Sequence, residues 1–293
     1  MAAVTVVIPS YNQGPLIREA VESALSQTVR PERIIIVDDG SDEQTSVDVL
    51  SAILDDCRHG ALDTGGVAVD FIDQVNAGPS AARNRGIAAA GTPFVVVLDG
   101  DDRLMPTFIE RTLPLLTADD SMVASSGWLR TFGVLDSVVQ PTGGDAGAFV
   151  SHNCCPATCM IRRSAWDRCG FEDWDLFLSM LERGLEPKDD AGKGAAHIGI
   201  APEPLIEYRT APASSNVTSM TKRLDLMRFL IAKHRDLYAA HIADAILGVE
   251  AISMSRLAMW ASLMRGDTTA SQAFMTHPTY GDGGMAAAVR LQS

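Results

Sequence analysis

Basic side chains are scarce in this sequence: Lys and Arg number 24 against 37 Asp and Glu, a net charge of −13. A nucleic-acid-binding surface normally shows a basic stripe, so no nucleic-acid partner is expected. A phosphorylated ligand stays open, because a local cation can reverse the field around a phosphate. Long apolar runs are missing too. The most apolar stretch, residues 242–264, is interrupted by Asp244, Glu250 and Arg256, too polar for a lone spanning helix. The N-terminus enters Val4-Thr5-Val6-Val7-Ile8-Pro9 without the basic start and cleavage site of a signal peptide. A cytoplasmic location is therefore expected, with peripheral membrane attachment open. Cysteines are few and odd in number: Cys57, Cys154, Cys155, Cys159 and Cys169. Without an export signal, that count implies free thiols. Adjacent Cys154-Cys155 lacks the Cys-x₂-Cys spacing of zinc sites and no histidine pair follows, so these are read as small apolar packing residues. No internal repeat is visible.

What the chain does have is core material, at 46% hydrophobic residues. Residues 4–8 form a β-branched run, and Pro9-Ser10-Tyr11-Asn12 turns the chain. Leu16, Ile17, Ala20, Val21, Ala24 and Leu25 recur at helical spacing over residues 16–27. A strand over 33–37, a helix over 47–54, a strand over 67–72, a helix over 79–90 and a strand over 94–98 follow. Strands too apolar to alternate, interleaved with helices, predict a mostly parallel sheet covered on both faces, an α/β fold. Ligands of such sheets bind outside the carboxyl ends of the strands. Three polar turns emerge there: residues 9–12, 38–41 and 99–102.

The last of these, Asp99-Gly100-Asp101-Asp102, ends the run Phe94-Val95-Val96-Val97-Leu98. Carboxylates are costly to desolvate unless paired or bound to a cation. Several together at a strand end point to Mg²⁺ or Mn²⁺, which bind through one or two carboxylates plus a substrate phosphate. The alternative is a solvated acidic turn capping the next helix.

Farther on, a helix is expected over 107–116, and two helical pieces over 164–183 around Gly170. A long helical region over 220–264, broken near 238–241, carries the stripe Leu224, Met227, Leu230 and Ile231. Packing on the sheet domain is the expected use of that stripe, with a homodimer or membrane surface as the alternatives. Residues 266–293 read as a flexible tail.

In order, the turns resemble those of the family 2 glycosyltransferases, whose catalytic domain has the GT-A fold. The matching stretches are Val7 through Asn12, Ile36 through Ser41, Asn76 through Gly86, Val97 through Asp102 and Glu172-Asp173-Trp174-Asp175-Leu176, then Pro202-Glu203-Pro204-Leu205 and Tyr208-Arg209. The resemblance implies a GT-A domain over 1–215, with a nucleotide-sugar half over 1–105 and an acceptor half over 106–215. A helical extension over 216–265 follows.

It also implies a metal-dependent, inverting transfer of one sugar (a hexosyl group) from a nucleoside-diphosphate sugar, UDP- or dTDP-linked. Pro9, Tyr11, Asn12 and Asp39 are assigned to the nucleotide, Asp39 accepting from the base. Arg83 lies near the nucleotide, Asp99 near the ribose, and Asp101 on Mn²⁺ or Mg²⁺, with Asp102 in support. Asp173 is the general base. The acceptor is left as a saccharide, lipid-linked group, peptide or small molecule. For Asp38 the reading is turn stabilisation. Trp174 is core or a sugar platform, and residues 210–221 could close as a lid.

The chain departs from the family pattern in two places. Gly170-Phe171 abuts Glu172 without the usual intervening segment, and no histidine stands shortly after Tyr208-Arg209, where Thr210-Ala211-Pro212-Ala213-Ser214 follows. His152 and His197 are read as structural. The Gln-x-x-Arg-Trp motif of processive synthases is absent. Two other readings, a sugar-1-phosphate nucleotidyltransferase and a non-catalytic sugar-nucleotide module, stand as alternatives. Residues 9–14 lack the basic phosphate loop of the former.

Overall fold

The computed structural model describes residues 2–166, 173–184, 195–211, 222–265, 277–282 and 284–292. The β-branched runs of the first hundred residues become β1 (Ala2–Ser10), β2 (Pro31–Asp38), β3 (Ala68–Asp73) and β4 (Phe94–Val97). They pair in parallel in the order β3-β2-β1-β4. Helices α1 (Leu16–Leu25), α2 (Gln44–His59) and α3 (Pro79–Ala89) make the crossovers. Val4, Val6, Ile8, Ile34 and Ile36 enter one apolar core, while Val7, Ile35, Val37, Val95 and Val97 enter the other. Burial on both faces is why β1, β2 and β4 carry no polar alternation, whereas edge strand β3 is part-exposed.

The second half comprises β5 (Arg103–Leu104), α4 (Phe108–Ala118), β6 (Met122–Gly133), β7 (Ser137–Val139), α5 (Ala146–Phe149), β8 (Cys159–Arg162), α6 (Arg163–Trp166), α7 (Asp173–Arg183) and β9 (His197–Thr210). Here the sheet is mixed, not mostly parallel. β8 lies antiparallel to β4 and β6, β9 runs parallel to β6, and β5 is antiparallel to β9. For β7 the cause is connection length: residues 134–136 after β6 allow only a hairpin, whereas parallel neighbours need a crossover of a dozen residues or more. The full order is β3-β2-β1-β4-β8-β6-β9-β5, with β7 on β6.

Chain order reverses at β1, with β2 on one side and β4 on the other. The 9–12 and 99–102 turns emerge at that switch point, at the carboxyl ends of β1 and β4, where ligands of such sheets bind. Two glycines make the approach possible. A Cβ on Gly86 of α3 would lie 2.3 Å from Val7 Cγ1, and one on Gly100 would lie 2.8 Å from the Pro9 carbonyl oxygen. Gly86→Ala is expected to lower the unfolding free energy by about 1–3 kcal/mol, the usual scale of overpacking. Urea denaturation checks this; an unchanged midpoint would mean that α3 sits farther from β1.

The C-terminal region is α8 (Arg223–Lys233), α9 (Arg235–Ala240), α10 (Ile242–Met264) and α11 (Gly284–Gln292). The break expected near 238–241 occurs at His241, and a second falls at His234. Of the expected stripe only Leu230 is buried, joining Leu237 and Tyr238 in the second core; Leu224 and Ile231 are exposed. Helical spacing alone could not tell a covered stripe from an open one. The flexible-tail expectation also needs correcting for 284–292. Met285, Ala288 and Val289, at i, i+3 and i+4, are buried in the first core, so an Ala-rich segment with few large side chains still docks. Among the described residues no helix is long and apolar enough to cross a membrane.

Candidate active site

Pro9 lies near the end of β1, and Tyr11, Asn12 and Asp39 lie on the loops after β1 and β2, which bind one another. β1 ends at Pro9 and Ser10, registered against Val37 and Asp38. Asn12 takes a left-handed backbone (φ 51°), and its side-chain oxygen accepts from the amides of Asp42 and Glu43 at 3.0 and 3.1 Å. Its Nδ2 donates to Asp42 Oδ1 at 2.7 Å. Asn12 therefore shapes the start of α2, while Tyr11 beside it is exposed. Asp38 accepts from the Ser41 hydroxyl at 2.5 Å, the turn-stabilising role expected of it.

Asp39 is buried and already occupied. Its carboxylate accepts from Gln74 Nε2 at 2.7 Å and from the amides of Ala77 and Gly78 at 2.9 and 2.8 Å. These bonds tie β2 to the loop that starts α3. Of about four acceptor positions on a carboxylate, three are taken.

Arg83 and Asp99 are brought together: Nη2 donates to Oδ1 at 2.6 Å, with the arginine nearly buried on α3. The guanidinium assigned to the nucleotide thus holds a carboxylate of the strand-end turn. Asn84 beside it accepts from Trp166 Nε1 at 2.8 Å, anchoring α6 to α3.

Asp101 and Asp102 sit under electrostatic pressure. Burial pushes Asp101 above the ordinary carboxylate range and the Asp99 charge adds to it, with Arg209 and Arg83 opposing. Asp102 is driven well up by burial first, then by Asp101 and Asp99. Opposing this are the amide of Arg209, 2.8 Å from Oδ1, and the Arg209 charge. The Asp101 carboxylate accepts no hydrogen bond from another described residue, and a dication beside it would reverse this cost. Three converging ligand side chains are absent among the described residues. A set of one or two hard oxygens completed by substrate phosphates fits Mg²⁺ or Mn²⁺ without them.

Arg209 is the residue that the motifs flagged without a role. Besides its amide, its Nε donates to the Asp101 carbonyl at 3.0 Å and its Nη2 to Glu19 Oε2 at 3.0 Å. Its guanidinium carbon lies 4.5 Å from the centre of the Phe132 ring, which Arg103 also faces at 4.4 Å. The end of β9 thereby fixes the backbone of the acidic turn against α1. The Tyr-Arg pair was the available signal, but its partner lies more than a hundred residues earlier.

Asp173 begins α7, and its side chain lies outside the described residues, as do Glu172, Cys169 and the loop over 212–221. Trp174 donates its indole N–H to the Phe149 carbonyl at 2.8 Å, a packing role. His197 starts β9 at the opposite sheet edge, beside Ser121 and Asp119. His152 contacts Ser151 and Cys154, and burial lowers its pKa. Cys154, Cys155 and Cys159 are buried in the second core.

The glycosyl transferase family 2 model matches residues 5–170, more than half of the chain. The chain belongs to that family. An Escherichia coli K12 protein named uncharacterized glycosyltransferase YibD is 37% identical over 41% of this chain and 32% of its own length. The Rhizobium meliloti succinoglycan biosynthesis protein ExoO is 35% identical over 41% of this chain and 32% of its own. The chain thus spans about a third of these two relatives. Over 64% of this chain and 74% of its own, Escherichia coli WfaP, named a UDP-Glc:alpha-D-GlcNAc-diphosphoundecaprenol beta-1,3-glucosyltransferase, is 25% identical. Among solved structures, S. aureus TarS residues 1–349 with UDP-GlcNAc has a TM-score of 0.59 at 14% identity, over 82% of this chain and 72% of that one. The mannosyltransferase PcManGT from Pyrobaculum calidifontis, with GDP-Man and Mn²⁺, has a TM-score of 0.58 at 15% identity, over 99% and 85%. The fold is GT-A.

Proposed function

We propose that the protein is a metal-dependent, inverting glycosyltransferase that moves one sugar from a nucleoside-diphosphate sugar, UDP- or dTDP-linked, to an acceptor nucleophile. The observation that carries this reading is the pressured carboxylate turn at the switch point, braced by Arg83 and Arg209. Names and ligands of the relatives support a nucleotide-sugar donor: UDP-sugars for WfaP and TarS, and GDP-Man with Mn²⁺ for PcManGT.

Asp101 would hold Mn²⁺ or Mg²⁺, with Asp99 near the ribose and Asp102 bearing the turn from beneath. Bound there, the cation would neutralise charge on the departing diphosphate. Pro9, Tyr11 and Asn12 line the nucleotide side. Asp39 takes a base N–H by exchanging the Gln74 amide for it, since Gln74 supplies the one side-chain donor of its three. Arg83 keeps Asp99 in place and lends positive charge to the phosphate side. Asp173, on α7, removes the acceptor proton as the acceptor attacks the anomeric carbon; base and leaving group on opposite faces give inversion. The acceptor is a saccharide, lipid-linked group, peptide or small molecule.

Incubated with Mn²⁺ and separate UDP-, GDP- and dTDP-sugars, the protein is expected to release UDP or dTDP. Release of pyrophosphate would instead mark a nucleotidyltransferase. Binding without turnover across diverse acceptors would mark a non-catalytic module.

A further inference from the structure

A part-buried ionic cluster lies along α7, the helix that begins with Asp173. His234, in the break between α8 and α9, is 1% exposed. Its Nε2 lies 2.9 Å from Asp175 Oδ1, and its Nδ1 lies 2.8 Å from Glu182 Oε2. A carboxylate at each nitrogen requires a proton on each, so the ring is an imidazolium. Lys233 Nζ donates to the other Asp175 oxygen at 2.5 Å. Among the described residues the charges on the ring are Asp175 and Glu182, both from α7, with Lys233 of α8 on the far oxygen of Asp175.

Asp175 and Glu182 are seven residues apart, two helical turns on one face of α7. The same helix is held elsewhere by the Trp174 indole on the Phe149 carbonyl and by Phe177 against Phe149, ring centres 5.8 Å apart. A helix pinned at separate points can neither rotate nor slide without breaking one of them. Asp173 is two residues from Asp175, so the latch sets where the first turn of α7 stands.

We propose that His234 is a positioning residue for Asp173, its imidazolium latching α7 in the orientation that aims the base at the acceptor. The proposal rests on the reading of Asp173 as the base. Burial opposes the charged ring, but bonds to Asp175 and Glu182 prevail and raise its pKa above the ordinary value. For Asp175, burial works upward while His234 and Lys233 hold its pKa down. The signs follow. Stability from His234 is complete below about pH 6.5, the unfolded value, and is lost as pH rises through the higher folded value. Stability from Asp175 is present above about pH 4 and is lost as pH falls through its lower folded value. The latch therefore holds between the two folded values and opens as pH rises through that of the ring. A carboxylate base fails on the acid side, so the two limbs are distinct.

The test compares the pH profile of Mn²⁺-dependent UDP-sugar turnover with an NMR titration of the His234 ring, assigned by its loss in His234→Gln. In the wild type, kcat is expected to fall on the alkaline side with donor KM unchanged, at the pH where the ring titrates, above 6.5. Glu182→Gln keeps an acceptor and removes a charge, so both midpoints should move down together. His234→Gln should lose the alkaline limb and run roughly tenfold slower, within the range for small misplacement of a reacting group. A ring that titrates at or below 6.5, or a limb that stays put when the ring midpoint moves, overturns the proposal. Should Glu182→Gln not fold, coincidence of the two wild-type midpoints still decides. Amide exchange along α7 separates this from the base assignment. If Asp173→Asn keeps its transfer rate, the base reading fails, and alkaline loss of α7 protection still reports whether the latch exists.

Discussion

Replacing Asp101 with Asn is expected to abolish Mn²⁺-dependent binding of a UDP-sugar while leaving the fold intact. Asn keeps the shape of the side chain and deletes the charge that a dication needs. In the wild type that charge is held at a cost, raised by burial and by Asp99 and lacking any hydrogen-bond donor among the other described residues. Its removal relieves like-charge crowding on the turn, so the unfolding midpoint should hold or rise even as affinity falls. Loss of one stabiliser of developing charge is worth about 10²–10³ in rate, and turnover should drop by at least that much. Calorimetric titration of UDP with and without Mn²⁺, beside a thermal melt, reads both effects. Retained Mn²⁺-dependent affinity would move the metal to other ligands. A lowered midpoint with weakened binding would make Asp101 a structural residue of the turn.

The parallel half of the sheet was legible because its strands are short, β-branched and bounded by turn residues, and because the crossovers repeat. The three polar turns could be placed at one edge from order alone. The mixed half was not legible: the β6–β9 pairing joins residues 122–133 to 197–210, and no local pattern encodes that partner. Site roles behaved the same way. Asp38 could be assigned from its own turn, whereas the Arg83–Asp99 bond, the three donors on Asp39 and the Arg209 brace all join distant segments. His234 shows the limit most plainly. In sequence it is a lone histidine inside a helical stretch; only the fold sets it between two carboxylates from fifty or more residues away. Acidic motifs announce themselves by density, but the groups that hold them in register carry no such mark.

Asp173→Asn is expected to separate binding from chemistry. The nucleotide loops hang from β1, β2 and β4, so UDP-sugar affinity should stay near wild type. Asn cannot accept the acceptor proton, and positioned general bases contribute typically 10²–10⁴-fold, so transfer should fall by about that factor. The acid limb of the pH profile should vanish with it, because the carboxylate that titrates is gone. Glu172→Gln is the necessary control, since the neighbouring carboxylate offers the same chemistry one residue away. If Glu172→Gln loses transfer and Asp173→Asn keeps it, the base is Glu172. If both lose the sugar nucleotide as well, this end of α7 belongs to the donor site, and the division between a donor half and an acceptor half is wrong.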